Sequence, residues 1–213
     1  MRMLECRHLL AIAVGFNLLP ATGAAQAVAP ANTNAAAPTQ IAQSADKRLS
    51  ELGPEGQALA KRAGTWDVTL TTFSRTRGAL VTLSGLVAQR QMIGPMLQEI
   101  LRSTPASASS FERVDDLTFN RLEGRWDYMS MDSKVPDGLM VAWSLNNDPG
   151  ERIFVSFLPF ATAGNEPKAT GQMFRMEQII IRKDANHEVK DQYFTPAGAT
   201  KWLAKRYTYT RRT

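Results

Sequence analysis

Gly64-Thr65-Trp66-Asp67-Val68-Thr69-Leu70-Thr71-Thr72-Phe73 decides how this chain is read. Trp66, Val68 and Leu70 alternate with Thr65, Asp67, Thr69 and Thr71, the period of two that gives a strand one apolar face. Toward the C-terminus the same period recurs in Leu80–Gln89, Met96–Arg102, Phe111–Phe119, Arg125–Met131 and Leu139–Leu145. It continues through Arg152–Leu158, Gln172–Arg182, Glu188–Phe194 and Trp202–Arg211, which makes ten predicted strands with Trp66–Phe73. Between them stand Arg77-Gly78, Leu122-Glu123-Gly124, Pro136-Asp137-Gly138, Asn147-Asp148-Pro149-Gly150, Asp184-Ala185-Asn186 and Pro196-Ala197-Gly198. Each is turn chemistry, supplying a positive or a fixed φ where the chain reverses.

No stretch from Gly64 to Thr213 carries a long apolar stripe of period 3.6, which excludes parallel sheets with crossover helices. Ten strands in an open sheet would leave two apolar edges, and closing the sheet removes both. The expectation is therefore an all-β fold, a closed or nearly closed antiparallel up-and-down β-barrel of about ten strands with a short N-terminal helix. A two-sheet sandwich is the alternative. Such barrels act through what their interiors hold, since alternate residues of every strand point inward.

Upstream, Asp46–Ala63 carries Leu49, Leu52, Leu59 and Ala60 among Lys47, Arg48, Lys61 and Arg62. That pattern predicts one or two short helical turns, broken near Gly53-Pro54, with Pro54 at a helix start where its missing N–H costs nothing. Residues 28–45 read as a flexible Ala/Pro-rich linker, and 46–213 as the barrel domain. Residues 1–27 read as a signal peptide: Arg2 and Arg7, then Leu9 to Phe16, then the small-x-small site Ala25-Gln26-Ala27. Asn17, Pro20 and Thr22 interrupt the apolar run too early for a spanning helix, so stable membrane insertion is not expected. The protein is expected to be exported, periplasmic or secreted after cleavage.

Residues 28–213 contain no cysteine and one histidine, His187, so an exported chain would be held by burial without disulfides. The net charge of +5 becomes +4 without Arg2, Arg7 and Glu5. The basic residues are scattered, and the cluster Lys201, Lys205, Arg206, Arg211, Arg212 reads as a solvated strand face, so no nucleic-acid partner is expected. With one histidine in a turn after Asp184-Ala185-Asn186 and no cysteine, no metal site and no serine triad are expected.

The candidate site rests on parity. Tyr128, Ser130 and Asp132 share one strand face, and Arg90, Arg175 and Glu177 would meet them if they face inward. Such a polar cluster would orient a ligand in an otherwise apolar cavity. Met92, Met96, Met129, Met131, Met140, Met173 and Met176, with Phe154, Phe157 and Phe174, read mainly as core and would make a deformable lining. No residue is singled out as catalytic and no cofactor is expected. The leading function is an exported barrel binding a small, largely apolar molecule. The alternative is a barrel enzyme, isomerase- or cyclase-like, working on a hydrophobic substrate through Tyr128, Asp132 and Arg90.

Several segments in order resemble one family. They are Gly64-Thr65-Trp66-Asp67, Arg90-Gln91-Met92-Ile93-Gly94, Leu117-Thr118-Phe119-Asn120, Trp126 to Ser133, Arg175 to Arg182, and Tyr207-Thr208-Tyr209-Thr210-Arg211. Taken together the chain from about Gly64 to Arg212 resembles the DUF1579 family of uncharacterised, mostly bacterial proteins. It departs from that family in having Gly94-Pro95-Met96 for Gly-Gly-Arg and Thr118-Phe119-Asn120 for Gly-Tyr-Asp. The resemblance implies a closed barrel similar to calycins, with no established activity. It further implies a barrel floor in which Trp66, behind Gly64, stacks under Arg211 of the last strand. Haem binding of the nitrobindin kind is disfavoured by the lone turn histidine.

Overall fold

The computed structural model describes residues 44–104, 112–133, 138–144, 150–162 and 171–213. These belong to one unit, Gln43–Thr213. The expected signal peptide and the linker as far as residue 43 lie outside the described residues. Ala45, placed in the linker by sequence, belongs instead to a helix, and Ser44 before it is the cap of that helix. The Ser44 hydroxyl accepts the Lys47 backbone N–H and caps α1 (Ala45–Ser50). A second helix, α2 (Gly53–Ala60), carries Pro54 in its first turn.

Eleven strands follow among the described residues: β1 (Gly64–Ser74), β2 (Gly78–Ile93), β3 (Met96–Ser103), β4 (Glu112–Asn120), β5 (Arg125–Asp132) and β6 (Met140–Trp143), then β7 (Arg152–Phe157), β8 (Phe160–Thr162), β9 (Gln172–Arg182), β10 (His187–Pro196) and β11 (Trp202–Arg211). Each pairs antiparallel with its neighbour in sequence, except that β7 and β8 both pair with β9. They are one stave interrupted at Leu158-Pro159, where proline has no N–H to give to a ladder. β11 pairs with β1 from Trp66↔Arg211 to Thr72↔Lys205, which closes the ring. The fold is thus the closed ten-stave antiparallel β-barrel expected from the alternation. Two register shifts bend β2 against β1: the pairing passes from Val68↔Leu86 to Leu70↔Leu83, where Gly85 takes φ +73°, and from Thr72↔Val81 to Phe73↔Ala79.

The helices lie at the end where β1 begins. Leu59 of α2 is fully buried in the core, and Arg121, in the turn between β4 and β5, donates to the carbonyls of Arg48 and Glu51. We call this end the floor, and the end marked by Asp132, Phe160 and Lys205 the mouth. The apolar core forms two groups. One joins Trp66, Val68, Leu86, Ala88 and Leu101 to Tyr207 and Tyr209. The other joins Leu59, Leu97, Leu117, Trp126 and Tyr128 to Ala142, Ile153, Val155, Phe157, Met176 and Ile180. Both groups contact the charged side chains described next. Among the described residues no helix is long and apolar enough to cross a membrane.

Candidate binding site

Inward parity on four strands carries charge. β2 contributes Arg90, β3 Glu99 between Leu97 and Leu101, β4 Arg113 and Asp115, and β10 Glu188 and Lys190, all buried. Arg62, just after α2, is buried with them. Register lines several of them up, Arg90↔Glu99 and Glu99↔Asp115. Glu99 accepts from Arg90 at 2.7 Å, Lys190 at 3.1 Å and the Tyr209 hydroxyl at 3.0 Å, with Arg113 at 3.5 Å. Lys190 also donates to Asp115 at 2.7 Å, which lies 3.0 Å from Arg113 and accepts the Ser130 hydroxyl at 2.6 Å. Glu188 bridges Arg90, at 2.8 Å, and Arg62. Aromatic faces complete the packing: the Arg90 guanidinium lies 4.3 Å from the Tyr209 ring and that of Arg113 4.4 Å from Tyr207.

Mutual compensation keeps Glu99 and Lys190 ionised despite burial. Burial alone would push the Glu99 carboxyl up, but Lys190, Arg90 and Arg113 outweigh it and hold the group well below the usual carboxylate range. Burial and Arg113 pull Lys190 down, yet Asp115, Glu99 and Tyr128 more than offset them and hold its ammonium above the ordinary value. Burial, then nearby carboxylates, push the phenols of Tyr128 and Tyr209 up, so both stay neutral.

A pH dependence follows. Glu99 binds its proton later in the folded state than in the unfolded chain, so its contribution is full above about pH 4.3 and fades as pH falls toward the folded value. Lys190 is the mirror case, with its contribution full below about pH 10.4 and lost only as pH rises through the folded value. The thermal midpoint should therefore form a plateau from about pH 5 to about pH 10 and fall below it. A midpoint that rises between pH 5 and pH 3 would contradict this assignment.

The candidate residues divide between three places. Arg90 and Tyr128 do face inward, bordering a void of about 20 Å³ with Glu99, Asp115, Glu188 and Lys190. That volume is close to what one water needs. Asp132 shares the inward parity of Tyr128 and Ser130 but lies at the mouth, where it and Ser130 border a larger cavity. It does not join Arg90, which removes the Tyr128–Asp132–Arg90 group on which a catalytic reading depended. Arg175 and Glu177 are a correction: β9 turns Met176, Gln178 and Ile180 inward, so Arg175 is exposed and Glu177 pairs with Lys201 on the outer wall at 2.8 Å. Met131 and Met173 are exposed rather than lining. Arg62, Glu99, Arg113, Glu188 and Lys190 stand inside without having been singled out from sequence.

At the floor, the Arg211 guanidinium lies 4.2 Å from the Trp66 ring centre, and the Trp66 indole N–H donates to the Arg62 carbonyl at 3.0 Å. Gly64 has φ +123°, a conformation that favours glycine, and a Cβ on it would stand 2.8 Å from Arg211 Nη1 and displace that guanidinium. His187 is exposed, its ring Nδ1 2.9 Å from Asp184 in the turn between β9 and β10. Among the described residues no three His, Cys, Asp or Glu side chains group as metal ligands.

The mouth cavity measures about 150 Å³. Its lining combines the apolar side chains of Met140, Phe160, Met176 and Phe194 with the polar ones of Arg113, Ser130, Asp132, Gln192, Lys205 and Tyr207. The apolar part is stiffened by edge-on packing of Phe160 against Phe194 at 6.1 Å and of Phe194 against Trp202 at 5.8 Å. Chemically the arrangement can hold a small guest by burial and orient it by a few polar contacts.

No protein-family model matches the sequence, and no curated protein matches it. Among solved structures, that of Rv2717c from M. tuberculosis is similar, at 16% sequence identity and a TM-score of 0.46, over 76% of this chain and 100% of that one.

Proposed function

We propose that this protein is an exported barrel that holds one small, largely apolar molecule in the cavity at its mouth. The observation that carries this is the cavity's lining, in which four apolar side chains, two of them aromatic, are joined by a few polar ones. Its 150 Å³ limits the guest. An apolar cavity of about that size takes a benzene-sized molecule, whereas drug-sized ligands occupy about 300–1,000 Å³. The guest is then a single ring or an aliphatic group of similar bulk. The floor and the charged middle layer serve to hold the wall rigid around it. Export rests on the n-region, apolar run and Ala25-Gln26-Ala27 site, and the DUF1579 resemblance belongs to the same reading.

Toluene titrated into protein labelled at its methionine methyls tests this. The methyls of Met140 and Met176 should shift together and saturate, while those of exposed Met131 and Met173 stay in place. Met176→Trp, which fills the cavity, should abolish the response. Unmoved Met140 and Met176 signals at toluene saturation would end the reading.

A further inference from the structure

We propose that the guest is an anion: the mouth cavity is a site for a single-ring aromatic carboxylate, whose carboxylate group is held by Lys205 and the Tyr207 hydroxyl. This deepens the proposed function and rests on it. The polar lining of the cavity is not uniformly available. Arg113 is engaged with Asp115 at 3.0 Å and stacked on the Tyr207 ring at 4.4 Å. Ser130 gives its proton to Asp115, and Gln192 donates its amide to Gln178 at 2.9 Å. Asp132 has an interaction of its own.

Two groups remain. Among the described residues, Lys205 has no ion-pair partner and the Tyr207 hydroxyl has no hydrogen-bond partner, although Tyr207 is only 1% exposed. Tyr207 borders the cavity, and a phenol O–H with no partner among the described residues can donate to an acceptor placed there. Lys205 and Tyr207 are two residues apart on β11, both inward, facing Thr72 and Leu70 across the ladder to β1. They therefore reach the cavity from adjacent levels of one wall, a donor and a cation side by side. That pairing suits a carboxylate, which accepts from both. The charged groups bordering the cavity are Arg113 and Lys205 against Asp132, an excess of one cation. Met140, Phe160, Met176 and Phe194, which line the same cavity, supply faces and edges for a ring. With about 150 Å³ available, a ring bearing a carboxylate fills the space and a longer acyl chain does not fit.

Benzoate, benzyl alcohol and benzylamine share the ring and differ in charge. Each is titrated into the full chain as purified, following the Met140 and Met176 methyls. Benzoate should bind about tenfold or more tighter than benzyl alcohol, the range for a hydrogen bond to a charged group, and benzylamine most weakly. Lys205→Gln should erase most of that preference, Lys205→Arg should keep it, and Tyr207→Phe should reduce it. The preference should also shrink as salt is raised. Benzyl alcohol or benzylamine binding as tightly as benzoate would overturn the anion assignment and leave the cavity reading in place. A benzoate preference untouched in Lys205→Gln would overturn the role of Lys205. Silence of both methyls toward all three compounds would strike the cavity reading itself.

Discussion

Glu99→Gln should cost about 3–5 kcal/mol of stability, the range for removing one partner from a buried ion pair. Glu99 is the anion around which the middle layer is arranged, meeting Arg90, Lys190, Arg113 and the Tyr209 hydroxyl. A neutral amide of nearly the same shape keeps the packing but leaves four buried cations, Arg62, Arg90, Arg113 and Lys190, facing Asp115 and Glu188 alone. One amide oxygen cannot satisfy four donors, and its NH₂ group points more hydrogens at donors already present. Against a typical total of about 5–15 kcal/mol, that loss brings the protein close to unfolding. Adding Lys190→Met should restore part of it, because the second change removes the cation stranded by the first and the two residues touch. Urea unfolding of the parent, the two single variants and the double variant measures this. Strict additivity, or a Glu99→Gln variant within 1 kcal/mol of the parent, would mean that the layer is more hydrated or less coupled than its geometry indicates.

The staves were legible because their determinants are local. Alternation of Trp66, Val68 and Leu70, and turn residues such as Leu122-Glu123-Gly124, are properties of a few adjacent residues. The interior chemistry depends on three things that are not local: which parity faces in, how high on the stave a residue sits, and what stands across the lumen. β9 shows the first. Met173 and Ile179 share one face with Arg175 and Glu177, while Phe174, Met176 and Ile180 share the other, and only packing against Val155 and Ile153 of β7 decides between them. Asp132 shows the second. It has the right face, but the register runs Arg90↔Glu99↔Asp115↔Ser130, leaving Asp132 two residues nearer the mouth, about 7 Å along the strand.

Lys190 and Glu188 show the third. β10 is polar on both faces over this stretch, so nothing in it separates an inward lysine from a solvated one. Their inward placement is sustained by carboxylates and guanidinium groups from β2, β3 and β4 on the far side of the lumen. Glu99 did leave a signal, since it occupies the parity of Leu97 and Leu101. A charge on the apolar face of a barrel strand indicates an interior network, and Arg113 and Asp115, on the parity of Leu117, repeat it. The floor was expected through the family resemblance and not through alternation, and the structure does bring Trp66 and Arg211 together, as cross-strand partners of the first and last staves.

Trp66→Ala should be the other severe change, costing about 3–5 kcal/mol, as for deletion of a large buried aromatic side chain. Trp66 is fully buried, and three kinds of contact converge on it: the hydrogen bond to the Arg62 carbonyl, the edge of Tyr209 at 6.5 Å, and two guanidinium groups, Arg211 at 4.2 Å and Arg90 at 5.0 Å. Arg211→Ala should cost less, since Arg211 is only half-buried, but it removes more than a stacking partner. The guanidinium also donates to the carbonyls of Ala63 and Lys61, both at 2.6 Å, and of Ala185 at 3.0 Å, tying the end of α2 and the turn between β9 and β10 to the floor. Arg211→Lys should therefore recover little, because an ammonium cannot present that planar fork. In a double-mutant cycle Trp66 and Arg211 should couple by about 1 kcal/mol, the cation–π share of the contact. Calorimetric midpoints of the four proteins give the number. If the two losses simply add, Trp66 acts as a packed plug and Arg211 as a clasp on the carbonyls, each independent of the other's ring or charge.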